Sequence, residues 1–547
     1  MPQVQRFSMI PPGENIDPST AAQDIDRDQS AYGRMLVAAG ARMRKVGLRA
    51  ACAATALLAC ASAGHAADSD TMATKAPVAT SAPAAPAVCT NFWDFITTAC
   101  PLTWYGVTVY GVIDAGVGWQ SHGAPWNPQF HAGASYFLQK MNRQALWSLA
   151  PNGLSQSALG IKGIEPIGSN VYFIFQLEAG FDPYSLELAN SPASEWNNRG
   201  VPVNQQTTNG DSNRAGQFYN SIGYFGVTSP TYGTLTVFRQ NAITTDAVLA
   251  YDPMGASYAF SPIGFSGVVA GGGDTQDARY STSLKYRFEF GDFHAAALWQ
   301  FGGYEQNNGS RGAVEGEVGG DIRKLGPGVL SMDVIGGYNK DAVTLGLSGA
   351  PTNAAGVPVA PFLPQIMTAT ISDNTNIMAV AKYVTGPLKL YAGYEWMQFA
   401  PPSDPQTAFT DIAGNFVCAG CAGFNMTNIN NTAFSAPGNK DKILQAFWIG
   451  ARYAVTDEVD VMGAYYHYDQ NNAALSAANV AACNGSAASK NFCQGTMDAF
   501  SLAIDWKFAA KFDAYAGFMF SQMNGGLANG FLARNNIDPT VGLRFRF

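Results

Sequence analysis

From residue 104 to the C-terminus, apolar and polar side chains alternate with a period of two along one short segment after another. That period belongs to β-strands whose two faces meet different surroundings. The clearest case is Arg279–Phe290. Tyr280, Thr282, Leu284, Tyr286, Phe288 and Phe290 take one parity; Arg279, Ser281, Ser283, Lys285, Arg287 and Glu289 take the other. The pattern predicts about 16 strands, near 104–120, 155–165, 170–181, 217–228, 233–240, 279–290, 293–304, 312–323, 329–339, 375–385, 388–398, 442–454, 459–469, 497–508, 512–522 and 537–547.

The connections alternate in length. Short ones include Glu165–Ser169, Ser229–Tyr232, Gly291–Asp292, Lys324–Gly328 and Ala509–Lys511; long ones include 121–154, 182–216, 241–278, 340–374, 399–441 and 470–496. Short periplasmic turns and long extracellular loops are the plan of an outer-membrane barrel. The expected fold is therefore all-β: a transmembrane antiparallel up-and-down β-barrel over 104–547 with both ends on the periplasmic side.

Charge placement sharpens this expectation. With the apolar parity assigned to lipid, Lys162, Glu178, Arg279, Lys285, Arg287, Glu289, Glu315, Glu317, Asp333, Glu395, Asp505 and Arg544 all fall on the lumen parity. A cation facing the middle of the bilayer costs roughly 2–4 kcal/mol, so lipid exposure demands this segregation. Arg239 is the exception, and it stands where its strand reaches the outer rim. Composition agrees: charged residues make up 13% of 547 residues, glycines number 58, and no long apolar run follows the N-terminal region. A bundle of transmembrane helices is excluded by the last point.

The N-terminal region reads as export machinery. Met43–Arg44–Lys45 and Arg49 form a basic start, Ala50–Ala63 is apolar, and Gly64–His65–Ala66 is a small-x-small cleavage site. Residues 43–66 are thus expected to be a signal peptide, with 1–42 an unstructured extension ahead of translation starting at Met43 or Met35. A buried core helix and a lipid-attachment box at Leu57–Cys60 are the other readings of that stretch. Residues 67–103 read as an Ala/Pro-rich periplasmic linker ending in a stapled segment.

Cys52 and Cys60 fall in the signal; Cys89, Cys100, Cys418, Cys421, Cys483 and Cys493 remain as three local pairs between strands. Local disulfides are the main expectation in an oxidising periplasm. A metal or redox role for Cys418 and Cys421 lacks further ligands or a βαβ setting. No resident metal or other cofactor is expected.

Thr540–Val–Gly–Leu–Arg–Phe–Arg–Phe547 ends the chain on an aromatic residue, and Val107–Thr–Val–Tyr–Gly–Val–Ile–Asp–Ala–Gly116 opens the barrel. With Ser157–Gly163, Ile174–Gly180, Tyr232–Gln240 and Ser283–Arg287, they resemble, in order, the segments of the Gram-negative trimeric general porins. That resemblance implies a homotrimer in the outer membrane, bathed by lipid and lipopolysaccharide. It implies a terminal Phe547 read by the barrel-assembly machinery. It also implies a third loop folded inward.

Here the third loop is 241–278, with Asp246, Asp252, Asp274 and Asp277, beside a row formed by Arg279, Lys285 and Arg287, with Arg239 just ahead of the loop. Acidic loop opposite basic wall would give a transverse field. The expected function is passive diffusion of small hydrophilic solutes and ions through a water-filled channel, without covalent chemistry and without nucleic acid. The alternatives are a substrate-specific channel, in which Tyr251, Tyr258 and Phe260 form a sliding path, and an outer-membrane hydrolase. The hydrolase lacks a nucleophile context at His122, His131, His294 or His467.

Overall fold

The computed structural model of the chain describes residues 89–122, 144–186, 188, 218–263, 279–301, 312–340, 344–347, 367–370, 373–400, 441–472, 494–525 and 533–547. The signal peptide, residues 67–88, Asp274, Asp277, His131, Cys418, Cys421, Cys483 and Cys493 lie outside them. No helix among the described residues is long and apolar enough to cross a membrane.

The strands follow the alternating segments. They are β1 (Leu102–Trp104), β2 (Val107–Gln120), β3 (Leu146–Pro151), β4 (Ala158–Gly168), β5 (Val171–Gly180), β6 (Ile222–Ser229) and β7 (Gly233–Asn241). There follow β8 (Arg279–Phe290), β9 (Phe293–Gln300), β10 (Gly312–Leu325), β11 (Gly328–Lys340), β12 (Thr344–Leu347), β13 (Met367–Thr370) and β14 (Asp373–Thr385). The last are β15 (Leu388–Ala400), β16 (Lys442–Ala454), β17 (Val459–Gln470), β18 (Gly495–Ala509), β19 (Phe512–Gly525), β20 (Asn535–Ile537) and β21 (Thr540–Arg546).

Neighbours in sequence pair antiparallel, and β21 pairs with both β19 and β2, which closes the sheet on itself. β3 and β4 lie end to end along β2, and β20 and β21 along β19, so the closed barrel has 16 strands. Among the described strands, β12 and β13 form a separate two-stranded sheet. Closure matters energetically, because an open edge in hydrocarbon would leave unpaired N–H and C=O groups.

The outer face is apolar along its middle, with Val109, Val117, Leu159, Val227, Val318, Val334, Leu502 and Leu543 exposed. Large aromatics mark both ends. Trp104, Tyr105, Tyr232, Phe290 and Phe293 stand at the short-turn end, and Trp147, Trp299 and Phe301 at the long-loop end. Paired aromatic girdles flanking an apolar band are the signature of lipid contact.

Two features depart from strict alternation. Thr282 has φ 51° and Phe238 has φ 83°, and the β7–β8 register shifts between Phe238 and Gln240. These bulges turn Tyr280 inward, where it is 1% exposed and its hydroxyl donates to Asn339 Oδ1. Tyr280 is therefore not a lipid-facing residue, and Arg279 is cut off from the row that holds Lys285 and Arg287. The second departure is at β17 and β18, where His467 and Asp498 share the parity of exposed Tyr465 and Phe500. They pair at 2.8 Å near the long-loop ends of their strands, and the Tyr465 hydroxyl donates to the same carboxylate.

Candidate functional site

The third connection leaves β7 and folds into the barrel. Its first turn forms a helix, Ile243–Tyr251, whose start is held by a wall residue rather than by a local cap. Ile243 N donates to Glu315 Oε2 at 2.5 Å and Thr244 Oγ1 to Glu315 Oε1 at 3.1 Å. A carboxylate at this end also meets the positive pole of the helix dipole.

One turn on, Asp246 meets the wall. Its Oδ2 lies 2.9 Å from Lys285 Nζ and 2.5 Å from an Arg287 nitrogen. Asn241 Nδ2 donates to its other oxygen at 3.0 Å, and the second arm of Arg287 reaches Glu317 Oε2 at 3.0 Å. Burial pushes the Asp246 carboxyl up, but Lys285 and Arg287 more than offset this and hold it below its ordinary value.

The far end of the loop is bound to the other walls. Trp448 Nε1 donates to Tyr251 O at 3.1 Å, and Tyr466 donates its hydroxyl to Asp252 Oδ1 at 2.6 Å. Gly393 and Gly450 make this docking possible: a Cβ at Gly393 would collide with the Trp448 indole, and one at Gly450 with Pro253. Asp252 faces a Tyr hydroxyl and the Ala256 amide, and burial raises its carboxyl above the ordinary value.

Beyond Pro253 the loop reaches the kink between β3 and β4. Ala259 N donates to Gly153 O at 2.9 Å, Tyr258 donates to Gln156 Oε1 at 3.2 Å, and Phe260 stands edge-on to Tyr515. The kink itself hangs on Asp114, which accepts from Leu154 N and Ser155 N at 2.8 Å and from the Tyr515 hydroxyl at 2.7 Å.

The arrangement sets Asp246 of the docked loop against Lys285 and Arg287 of β8, and Asp252 against Tyr466 on the far side, and so revises their expected roles. Asp246 is paired directly with Lys285 and Arg287 on one wall, so those charges do not face each other across open water to make a transverse field. Arg279 pairs in register with Asn241, beyond the bulge that separates it from Lys285 and Arg287. Arg239 is buried, donating to Asn220 O at 3.2 and 2.7 Å and to Ser281 Oγ at 2.9 Å. Tyr251, Tyr258 and Phe260 are buried between loop and wall, which leaves no exposed aromatic sliding path in them. Glu315, Trp448, Tyr466 and Asp114 carry the docking; Glu315 was visible as a lumen charge, whereas the others carry no sequence signal beyond parity.

A closed barrel with an apolar exterior, a charged interior and an inward loop narrows the identity, and a family comparison decides it. A sequence model of the Gram-negative porins matches residues 53–526. The chain belongs to the Gram-negative porin family. This porin is 26% identical over 307 residues to an outer membrane porin protein of Bordetella pertussis, across 47% of this chain and 68% of the relative. Among solved structures, the anion-selective porin from Comamonas acidovorans has 16% identity and a TM-score of 0.48, covering 81% of this chain and 99% of its own. The trimer form of OmpT from Vibrio cholerae has 14% identity and a TM-score of 0.46, with the same shares covered. The porin is thus an outer-membrane protein that forms a water-filled channel.

At the short-turn end, the residues before the barrel close over its seam. Cys89 and Cys100 form a disulfide around the helix Phe92–Thr97. Phe95 packs on Phe547 at 5.9 Å and on Phe545 at 6.2 Å, while Lys511 Nζ lies over the Phe95 ring and donates to Cys100 O at 2.9 Å. Phe547 itself exchanges backbone hydrogen bonds with Gly111 of β2 at 2.9 and 3.0 Å.

Proposed function

We propose that this porin passes small hydrophilic solutes and ions by diffusion along a path narrowed by the docked third loop. One observation carries the reading: 241–263 is fastened inside the barrel at its start by Glu315, Lys285 and Arg287 and at its far side by Trp448, Tyr466 and Gly153. A segment held at both ends narrows a channel persistently rather than transiently. Width and lining field then select what passes. The channel does no covalent chemistry in this reading.

Because Asp246 neutralises part of the basic wall, ion preference is set by the net charge of the whole narrow section rather than by one basic row. Family membership supports assembly as a homotrimer, insertion among lipid and lipopolysaccharide, and delivery by the barrel-assembly machinery through Phe547. Single-channel recording in planar bilayers under a salt gradient tests the reading. Steady ohmic conductance with no saturation by added sugars is expected. Conductance that saturates with one solute would replace it with a substrate-specific channel.

A further inference from the structure

We propose that the lumen wall beside the third loop holds a binding site for a divalent transition-metal ion, made by His294, Glu317 and Asp333. The three come from successive strands, β9, β10 and β11, and one ligand atom of each lies within 4.8 Å of the others. Two atoms on opposite sides of a zinc ion stand at most about 4.4 Å apart, so side-chain rotations alone would complete the set. An imidazole with two carboxylates suits zinc and its neighbours better than magnesium, which favours all-oxygen shells.

The backbone makes room for this grouping. His294 and Asp333 are the register partners of Gly319 on its two sides. They meet at 2.6 Å across that strand, and a Cβ on Gly319 would collide with both Asp333 Oδ1 and His294 Nε2. Glycine is thus what lets two ligand atoms from strands on either side converge over the middle one. Glu317 and Asp333 are buried and His294 is half-buried, so the donors sit in the wall and not in a solvated loop.

Charge supports a cation here. Asp246, Glu315, Glu317, Asp321 and Asp333 exceed by one the cations Lys285, Arg287, Arg323, which lies 3.7 Å from Asp321, and Lys382, which lies over the Tyr251 ring at 5.6 Å. Arg287 takes Glu317 Oε2, so the metal would use the other carboxylate oxygen. Tyr251 of the loop helix lies beside Asp333, which places the ion against the constricting loop.

Equilibrium dialysis of the folded channel against zinc chloride, with magnesium chloride as control, tests the site independently of conduction. One zinc per chain at micromolar concentration is expected, with no comparable magnesium binding. Bilayer recordings should show a conductance drop reversed by chelator, each variant being compared with its own metal-free current. His294→Gln should weaken zinc binding by more than about 100-fold, since losing an outer partner alone costs about 10- to 100-fold. Gly319→Ala, which keeps all three ligands but fills the space between them, should do the same; retained heat-modifiability shows that each variant folds. Absence of bound zinc, or zinc retained in His294→Gln, would overturn the site; bound zinc without a change in current would overturn its placement beside the conducting path. A channel that binds zinc but passes solutes selectively would overturn general diffusion and leave the site standing.

Discussion

Asp246 concentrates the consequences of docking in one carboxylate. Asp246→Asn leaves buried Lys285 without its ion-pair partner and half-buried Arg287 with Glu317 alone, and breaking a buried pair costs about 3–5 kcal/mol. The expected outcome is a loosened loop and a higher single-channel conductance. The double substitution of Lys285 and Arg287 by Gln has the mirror effect: it strands Asp246, so loss of loop order should accompany any shift in ion preference. Asp252 gives the pH dependence. Its carboxyl is raised when docked, so the docked loop binds a proton more tightly than the released one. The cost of docking the charged form is present above the raised value and is relieved as pH falls through it. Conductance should therefore decline as pH drops from neutral toward the ordinary carboxylate range, and Asp252→Asn should flatten the profile. Rising conductance over that range would contradict the sign. Sequence parity placed Lys285, Arg287 and Glu315 in the lumen, but a period of two cannot say which acid meets which cation. That choice depends on where the loop helix begins.

At the scale of elements, the strand ladder was legible because lipid and water impose opposite demands on alternate residues. Strand positions along β8 and β10 agree closely with the alternating segments. The bulges at Phe238 and Thr282 were not legible, because neither is glycine and neither breaks the hydrophobic pattern. Across them the β7–β8 register shifts by one residue and the faces beyond reverse, which moved Tyr280 inside and set Arg279 apart from the Lys285 and Arg287 parity. The kink between β3 and β4 escaped for a related reason: Asp114 reads as one more polar strand residue, although it organises Leu154, Ser155 and Tyr515. The lipid face offers a clean test. Val318 lies mid-strand in β10 and is 63% exposed. Val318→Arg should cost roughly 2–4 kcal/mol, read as a lower urea midpoint for unfolding in lipid vesicles. An unshifted midpoint would mean that this face does not meet hydrocarbon.

At the scale of the whole molecule, closure joins the two ends of the barrel through Phe547, Gly111 and the stapled helix. Deleting Phe547 removes two backbone hydrogen bonds to Gly111 and the ring against which Phe95 packs. Export should continue while folded, heat-modifiable barrel declines; a normal outer-membrane yield would show that the last residue is dispensable. The terminal aromatic was legible in the sequence, since it ends an alternating strand. Its partner was not: nothing in Asn91–Cys100 announces that Phe95 would lie over the seam, because that contact is made between opposite ends of the chain.

The Phe547 ring also lies where a side chain at Gly111 would stand, with a Cβ there only 2.6 Å from its Cζ. In genetic terms the two positions form one locus. Gly111→Val should reproduce the phenotype of a damaged C-terminus, because it evicts the ring without altering the last strand. Combining it with loss of the ring should add little further defect.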